Sequence, residues 1–413
     1  MRQNQHKWPL VALGTIATER SIRAGNTDHL PILSVTKHRG FVPSLDYFKK
    51  QVFSRNTSNY KLVTLGQFAY ATIHLDEGSI DYLRNFDAGL ISPMYTVFEV
   101  DQSQVDPAYL LRVLKSPQMI KRFGALGQGS VNRRKSIGFN QLAKLEVALP
   151  SLSEQRRVAE ILADIDEDIQ SSRGVAEQLQ VLKRGAMQQL FSCGMPHRHN
   201  ELKKQERPSN WTNHTLSDLG QIQSGRQRSP HHSRGMSYPY LRVANVFDGY
   251  IDTSDVYEML FTERELAQYR LAQGDILLNE GQSLELVGRP AMYMGDPEDC
   301  CFQNTLIRFR PSEKIDGKYA LSLFQHFLYS GRFAAIAKRT TSIAHLGVAR
   351  FAALQIALPP LDEQREIVDV LASFDARLRL EHERIAQLEI VKRGLAQGLL
   401  SGGLSPVPKE VPA

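Results

Sequence analysis

The 413-residue sequence has few cysteines and no long apolar run. Its three cysteines are Cys193, Cys300 and Cys301, and the adjacent pair is a poor arrangement for a structural disulfide. Without a Cys-x-x-Cys pair, a zinc finger is not expected. No stretch of about 18 apolar residues occurs, so we expect no membrane span. The N-terminal MRQNQHKWPL lacks the apolar core of a secretory signal, and a reducing cytoplasm is the expected location.

Catalytic motifs are missing as well. No Gly-x-Gly-x-x-Gly follows a predicted strand, and neither Gly-x-Ser-x-Gly nor His-Glu-x-x-His occurs. In the nearest approach to a phosphate-binding loop, Gly129 to Ser136, Arg134 stands where a P-loop needs glycine. No metal site is expected, because the clustered histidines lack a cysteine or acidic partner at ligand spacing; they are His197, His199, His231 and His232. These absences favour a binding or assembly protein over an enzyme.

The composition is that of an ordinary globular protein, with 42% apolar and 23% charged residues. At roughly 150 residues per domain, the length predicts two or three domains. The 50 basic and 44 acidic residues give a net charge of +6, which mildly favours a polyanionic partner.

One unit is present twice. Residues 149–195 and 358–404 align without a gap at an offset of 209 (358 − 149), and both contain Leu-Pro-x-Leu-x-Glu-Gln-Arg and Lys-Arg-Gly-x-x-Gln. Weaker matches extend the repeat upstream: Trp8 with Trp211, Gly40 with Gly249, and Tyr109 with Tyr319. A neutral gene duplication is one explanation. We favour a functional one, in which the helical parts do the same job twice and the globular parts do related but distinct jobs.

Each copy predicts a globular α+β part followed by a long helix. PILSVTKHRGFV and YPYLRVANVFDGYI are rich in strand formers and break at Gly40 and Gly249, as at hairpin turns. After Leu-Pro-x-Leu, Ser153 or Asp362 offers an N-cap. Apolar residues then alternate at spacings of four and three, which is a heptad seam. Each helix is expected to span about 38 residues, or about 57 Å.

The fold class expected is α+β, with two similar globular domains and two long helices that pair as an antiparallel coiled coil, in a pseudo-two-fold duplication. One polar residue interrupts each seam, Ser172 and Glu381, at equivalent positions. They would face each other and fix the register, although a partly exposed seam explains them equally well. The expected boundaries are 1–148 and 209–357 for the domains, 149–191 and 358–401 for the helices, 192–208 for a linker and 402–413 for a disordered tail.

Basic and polar loops at equivalent places in the two halves are the candidate nucleic-acid contacts. Arginine and lysine bind phosphates, and arginine can read guanine edges. Solvated surface loops explain any single residue equally well, but the clustering in both halves favours the group. The candidates are Thr36, Lys37, His38, Arg133, Arg134, Lys135 and Ser136 in the first half, and Arg226, Arg228, Arg242, Asn245, Lys338, Arg339, Thr340, Ser342 and His345 in the second.

These elements resemble the specificity subunit of type I restriction–modification systems. The resemblance rests on the doubled Leu-Pro-x-Leu-x-Glu-Gln-Arg, on Lys-Arg-Gly-x-x-Gln-x-Leu, and on the pattern from Trp211 to Arg289 that contains Gly-Tyr-Ile, Tyr-Arg-Leu-x-x-Gly-Asp-Ile-Leu and Val-Gly-Arg. It covers nearly the whole chain. The first half departs at Gly66-Gln67-Phe68, where the second has Gly274-Asp275-Ile276.

The resemblance implies two target recognition domains, each reading half of a split DNA sequence, held apart by spacer helices. It implies a non-catalytic subunit that binds double-stranded DNA, two methylation subunits and two restriction subunits. S-adenosylmethionine, ATP and magnesium would belong to those partners, and no cofactor to this chain. Two alternatives stay open: the specificity subunit of a type IIB-like system, and a coiled-coil adaptor that never binds DNA.

Overall fold

A computed structural model describes residues 8–25, 29–51, 53–54, 56–126, 136–198, 208–227, 234–340 and 342–406. They form two compact units. Unit 1 runs to Ser172 and resumes at Arg384, and unit 2 is Arg173–Glu383, so each long helix contributes a part to both units. Among the described residues, no helix has the length and apolarity needed to cross a membrane.

The globular part of unit 1 contains ten strands and four helices within the described ranges. The strands are β1 Leu10–Ala12, β2 Ala17–Arg20, β3 Leu33–Thr36, β4 Gly40–Pro43, β5 Lys61–Thr64, β6 Phe68–Ala71, β7 Ile80–Tyr82, β8 Ala88–Ile91, β9 Tyr95–Val100 and β10 Glu146–Ala148. The helices are α1 Ser44–Phe48, α2 Pro107–Leu114, α3 Pro117–Leu126 and α4 Phe139–Leu142. The long helix α5, Leu152–Cys193, follows.

The globular part of unit 2 has a similar order of elements. Its strands are β11 Thr212–Thr215, β12 Gly220–Ser224, β13 Met236–Leu241, β14 Tyr257–Phe261, β15 Ile276–Asn279, β16 Gly281–Gln282, β17 Pro290–Met292, β18 Cys301–Phe302, β19 Leu306–Pro311, β20 Lys338–Arg339, β21 Ala344–His345 and β22 Gln355–Leu358. Its helices are α6 Leu216–Leu219, α7 Glu263–Tyr269, α8 Gly317–Tyr329, α9 Arg332–Ile336 and α10 Val348–Ala352, and the second long helix is α11, Leu361–Leu400.

The two units share one sheet topology, which confirms the duplicated α+β fold. The four-stranded antiparallel sheet has the order β2-β9-β6-β7 in unit 1 and β12-β19-β15-β17 in unit 2. A two-stranded ladder joins the start of each domain to its end, β1 with β10 and β11 with β22. The ladders keep the same register, since Ala12 pairs with Glu146 and Thr215 with Gln355.

Glycine is needed at both hairpin turns that the sequence predicts. Gly40, the first residue of β4, has φ of +61° where the chain turns from β3 into β4. Gly249 has φ of +81° in a turn where the Phe247 N–H donates to the Tyr250 carbonyl at 2.9 Å. L-residues with a side chain rarely adopt this region. At Gly40 a Cβ would also lie 1.7 Å from an Asp81 carboxylate oxygen. The predicted hairpin turns are therefore confirmed.

Both long helices are longer than expected. Helix α5 has 42 residues and α11 has 40, and their internal glycines do not interrupt them. The expected N-caps were wrong. Helix α5 begins at Leu152, where the Ser151 hydroxyl accepts the Glu154 N–H at 3.4 Å, so the cap is Ser151 and not Ser153. Helix α11 begins at Leu361, and Asp362 lies inside its first turn.

Within each unit the long helices pair antiparallel. In unit 1, Asp166 of α5 forms an ion pair with Lys392 of α11, and Val158 and Leu162 share the core with Leu399. In unit 2, Lys183 of α5 lies 2.5 Å from Asp375 of α11. In unit 2, the Met195 N–H, which follows α5, donates to the Glu363 carboxylate near the start of α11 at 3.0 Å. In both units, residues later in the first long helix therefore contact residues earlier in the second, which is antiparallel pairing.

The predicted seam is confirmed, because none of its residues is exposed; they are Val158, Leu162, Ile165, Ile169, Ala176, Leu179, Ala186, Leu190, Ile367, Leu371, Phe374, Leu378, Ile385, Leu388, Leu395 and Leu399. Ser172 and Glu381 are 3% and 4% exposed, so the seam is not open to solvent there. That these two residues face each other stays a prediction.

The ends of the repeated parts lie partly outside the described residues. Residues 199–207 of the predicted linker and 407–413 of the predicted tail are not described, nor are the side chains of His197, His199, His231 and His232. The first part of the predicted linker is tied to α11, because the Arg198 guanidinium binds Asp362 at 2.8 Å and Glu366 at 2.5 Å.

Candidate nucleic-acid interface

The glutamine of the repeated Glu-Gln-Arg motif joins the first domain to helix α5. The Gln155 amide nitrogen donates to the carbonyls of Pro150 at 2.8 Å and Gln104 at 3.0 Å, and its oxygen accepts the Asp106 N–H at 2.8 Å. Asp106 in turn caps α2 by accepting the Tyr109 N–H. One buried side chain therefore fixes the long helix, the domain end and the start of α2 together.

Gln364 repeats this junction in unit 2. Its amide nitrogen donates to Pro359 at 2.9 Å and Lys314 at 3.4 Å, and its oxygen accepts the N–H of Asp316 at 2.8 Å, which caps α8. Gln155 and Gln364 are both 0% exposed. Each globular domain is thus joined to its long helix by the same three hydrogen bonds, which fix the orientation of the domain relative to that helix.

The two predicted basic loops occupy the same backbone position. At the end of the first loop, the Ile137 N–H donates to the Thr72 carbonyl at 2.9 Å; at the end of the second, the Leu346 N–H donates to the Glu280 carbonyl at 2.8 Å. Thr72 and Glu280 each follow the central strand, β6 or β15, of their sheet. Arg133, Arg134 and Lys135 lie outside the described residues, and Ser136 is exposed where the description resumes.

In unit 2 the second loop forms a small sheet that brings its candidates together. Strand β21 pairs with β20, with Lys338 opposite His345, and with β16, with Gly281 opposite His345. The exposed candidates around it are Lys338, Arg339, Thr340 and Ser342, and His345 is half-buried. The exposed side chains of Lys338 and Arg339, which have polar neighbours, can bind phosphates.

Sequence reasoning missed the segments that border these loops. In unit 2, the Glu280 carboxylate lies 3.0 Å from the His345 ring nitrogen Nδ1. The pKa of Glu285 is lowered by its own backbone N–H and the Ser283 hydroxyl, and further by Arg339. The available signal was the run of polar residues that follows the buried strand β15.

Three other candidates have structural roles instead of exposed positions. Thr36 is 7% exposed and Asn245 is 3% exposed, and Asn245 donates to the carbonyls of Asp252 and Asp255 at 3.0 Å each. Arg226 is 4% exposed, lies 4.8 Å above the Phe261 ring and binds Glu265 at 2.8 Å. Their burial is a correction to the expected surface: a direct DNA contact by these side chains is disfavoured.

Four candidate DNA contacts remain, of which one is an ion-paired arginine, two are exposed turn residues and one is not described. Arg242 binds Asp255 at 2.6 Å and lies 4.0 Å above the Tyr257 ring, which leaves 18% of its side chain exposed. Lys37 and His38 are exposed in the turn between β3 and β4. Arg228 lies outside the described residues. A DNA contact by any of these four stays a prediction.

Each long helix also presents an apolar pair to solvent. Val181 and Leu182 of α5 are 70% and 59% exposed, and their equivalents Ile390 and Val391 of α11 are 60% and 49% exposed. Neighbouring exposed apolar residues at equivalent places on two helices are unusual on a surface without a partner. Within the described residues, no cluster of histidine, cysteine and acidic side chains could hold a metal ion.

Known proteins match both the sequence and the fold. Residues 208–390 match a family model described as a type I restriction modification DNA specificity domain. The chain is 26% identical over 324 residues to the type I restriction enzyme MjaVIII specificity subunit of Methanocaldococcus jannaschii, covering 76% of this chain and 74% of that one. It is 25% identical over 267 residues to the EcoKI specificity subunit of Escherichia coli, covering 63% and 56%.

Another relative, the MjaX specificity subunit of Methanocaldococcus jannaschii, is 30% identical over 201 residues, which is 48% of this chain and 47% of that one. The chain therefore aligns with only about half the length of this relative.

Two solved structures share the architecture. One chain, from a study of complex assembly and conformational transition of the type I R-M system, has a TM-score of 0.63 at 16% identity, with 96% of this chain and 98% of that chain covered. The type I restriction–modification S subunit of M. genitalium has a TM-score of 0.52 at 14% identity, with 97% and 98% covered. At such identities the likeness concerns the fold. Residues 208–390 thus match the type I specificity domain, and the chain as a whole is similar in sequence to type I restriction enzyme specificity subunits.

Proposed function

We propose that the chain is the non-catalytic DNA specificity subunit of a type I restriction–modification complex and reads a two-part DNA target with its two domains. The observation that carries the proposal is the shared backbone position of the two basic loops, at Ile137–Thr72 and Leu346–Glu280. The scaffold is repeated, while the side chains on it differ. Such an arrangement suits two related readers of two different half-sites.

The exposed cations of the second loop supply the sequence-independent part of binding. Lys338 and Arg339 are both exposed on strand β20, where each can contact a phosphate. Contacts of this kind release counterions, so affinity should fall steeply with salt. Base discrimination then has to come from polar side chains beside these cations.

The exposed apolar pairs support docking of two copies of one partner. Val181 with Leu182 and Ile390 with Val391 are equivalent surfaces, so a methylation subunit that binds one can bind the other in the same way. In the proposed complex two methylation and two restriction subunits carry the chemistry, together with S-adenosylmethionine, ATP and magnesium. The chain itself would bind no cofactor, and it would work in the cytoplasm, where the DNA is.

Reconstitution tests this proposal. The purified chain is incubated with labelled S-adenosylmethionine and duplex DNA, with and without the methylation subunit from the same genome. We expect methylation only with the partner present, and methylome sequencing of a host carrying both should show a two-part motif. Robust methylation by the chain alone would contradict a non-catalytic role. No salt-dependent binding of duplex by the pair would favour an adaptor that never binds DNA.

A further inference from the structure

The contact between Glu280 and His345, which we call the Glu280 corner, lies beside the exposed cations Lys338 and Arg339 of unit 2. His345 is opposite Lys338 in the β20–β21 ladder, so the two side chains lie on the same face of the small sheet. The His345 side chain is 42% exposed, and the Glu280 side chain is 22% exposed. A DNA backbone that binds Lys338 therefore brings its groove within reach of the His345 ring.

A carboxylate at this place is unexpected if the surface binds only phosphates. Glu280 would repel a nearby phosphate, which costs affinity in a purely electrostatic surface. Its carboxylate instead lies 3.0 Å from Nδ1 of His345. A carboxylate bound to one ring nitrogen fixes the ring orientation and holds a proton on that nitrogen, which directs Nε2 outward.

The third member of the corner is Gly281, which makes room for the ring. Gly281 is opposite His345 in the β16–β21 ladder, and a Cβ built on it would lie 3.3 Å from Cε1 of His345. The φ angle of Gly281 is not positive, so the backbone does not require glycine there. The missing side chain is explained by the space that His345 occupies.

Unit 1 has residues at the equivalent positions, with the large and the small side chain exchanged. The equal hydrogen bonds of Ile137 and Leu346 make Thr72 equivalent to Glu280, Ile73 to Gly281 and Ser136 to His345. In unit 1 the larger residue of the pair is Ile73, in the segment after β6. In unit 2 it is His345, in the basic loop. The hydrogen bond that closes the loop is kept, but the segment after it differs, since Leu75–Glu77 form a 3-10 helix in unit 1 and Gly281–Gln282 form strand β16 in unit 2. The side-chain donors and acceptors differ as well, as two different half-sites would require.

From this geometry we infer that His345 reads a base edge in one half-site, that Glu280 is its positioning residue, and that Ser136 beside Thr72 holds the equivalent place for the other half-site. The inference rests on the proposed DNA-reading function. With Nδ1–H directed to Glu280, the unprotonated Nε2 of a neutral ring accepts a hydrogen bond. In the major groove the matching donors are the amino groups of adenine and cytosine.

Selection from a random duplex library tests the inference, using the full-length chain with its methylation subunit. We expect His345→Ala and Glu280→Ala to lose discrimination at the same single base position, by roughly tenfold each. Gly281→Ile, which keeps both polar residues but fills the space of the ring, should give the same loss. Lys338→Ala is the matched control and should weaken binding to all sequences alike.

Ser136→Ala provides the control in the other half. It should change preference only in the half-site that the His345 variants leave intact. Circular dichroism and assembly with the methylation subunit check that each variant is folded, and Glu280→Gln replaces Glu280→Ala if the latter is not. If the wild type selects no sequence, the proposed function fails as well.

If the wild type selects a two-part motif but the His345, Glu280 and Gly281 variants select it unchanged, only this inference is overturned. Uniform weakening by His345→Ala would also overturn it, because that result assigns His345 to the phosphate backbone.

Discussion

At the scale of single residues, the structure explains why glutamine follows glutamate in both copies of the motif. Gln155 and Gln364 satisfy one backbone N–H and two carbonyls each, entirely out of water. We expect Gln364→Ala to lower the free energy of unfolding by about 2–4 kcal/mol, because a buried group left unpaired costs about 1–3 kcal/mol. Urea denaturation measures it, with the exposed Gln170→Ala as control. Equal unfolding midpoints for the two variants would contradict this role.

Single residues also show where prediction from sequence stops. Arg226, Asn245 and Thr36 look like surface residues in the sequence because they stand among polar neighbours. The partners of Arg226 are distant in the chain, since Arg226 binds Glu265 and stacks on Phe261. Long-range pairing of this kind leaves no local signal. The Glu280–His345 contact joins residues that are 65 positions apart and was missed for the same reason.

At the scale of elements, two equivalent ion pairs fix the register of the long helices. Lys183–Asp375 in unit 2 and Lys392–Asp166 in unit 1 are related by the repeat offset of 209. Burial raises the pKa of Asp166, but hydrogen bonds from Lys392 and Arg112 outweigh this, so its pKa lies below the ordinary value. The repeated Lys-Arg-Gly motif therefore has a structural reason, which the sequence pattern alone did not show.

The lowered pKa of Asp166 predicts a dependence of stability on pH. A carboxyl whose folded pKa is depressed stabilises the fold above its unfolded pKa, and this contribution is lost as the pH falls through the folded value. We expect Asp166→Asn to lower the urea midpoint at pH 7 and to reduce the loss of stability on acidification from pH 5 to pH 2. Asp168→Asn, on an exposed part of the same helix, is the control. Parallel pH curves for wild type and Asp166→Asn would contradict the assignment.

The long helices were the part of the fold most open to prediction. Their seam follows from spacings of three and four, and every predicted seam residue is at least half-buried. The helix starts were less predictable, because several residues near Leu152 could cap the first turn and only the path of the chain selects Ser151. The hairpin turns at Gly40 and Gly249 were predictable because a positive φ demands glycine.

At the scale of the whole molecule, both basic loops should contribute to DNA binding. We expect the triple change of Arg133, Arg134 and Lys135 to alanine, and separately the double change of Lys338 and Arg339, to weaken binding to all sequences and to flatten its salt dependence. Titrations at several salt concentrations with the methylation subunit present measure both quantities. Affinities and salt slopes equal to those of the wild type in both folded variants would remove these loops from the interface.

The paired helices should also act as a ruler between the two half-sites, which we expect about 34–36 Å apart, one turn of duplex. Four residues inserted between Gln170 and Ser171 lengthen α5 by about 6 Å between Asp166 and Lys183. Helix α11 keeps its own distance between Asp375 and Lys392, so only one of the two ion pairs can survive. We expect such a variant to change the spacing of the selected half-sites or to lose binding.

A matched double insertion sharpens this test. Four residues added also between Arg379 and Leu380, the equivalent place in α11, lengthen both helices alike and allow both ion pairs and both sets of apolar contacts to re-form. This variant should fold as the wild type does and should select the same two half-sites, separated by about 6 Å more, which is about two base pairs. Selection from random DNA compares wild type, single insertion and double insertion. If the double insertion folds, binds and keeps the wild-type spacing, the helices do not set the distance between the two readers.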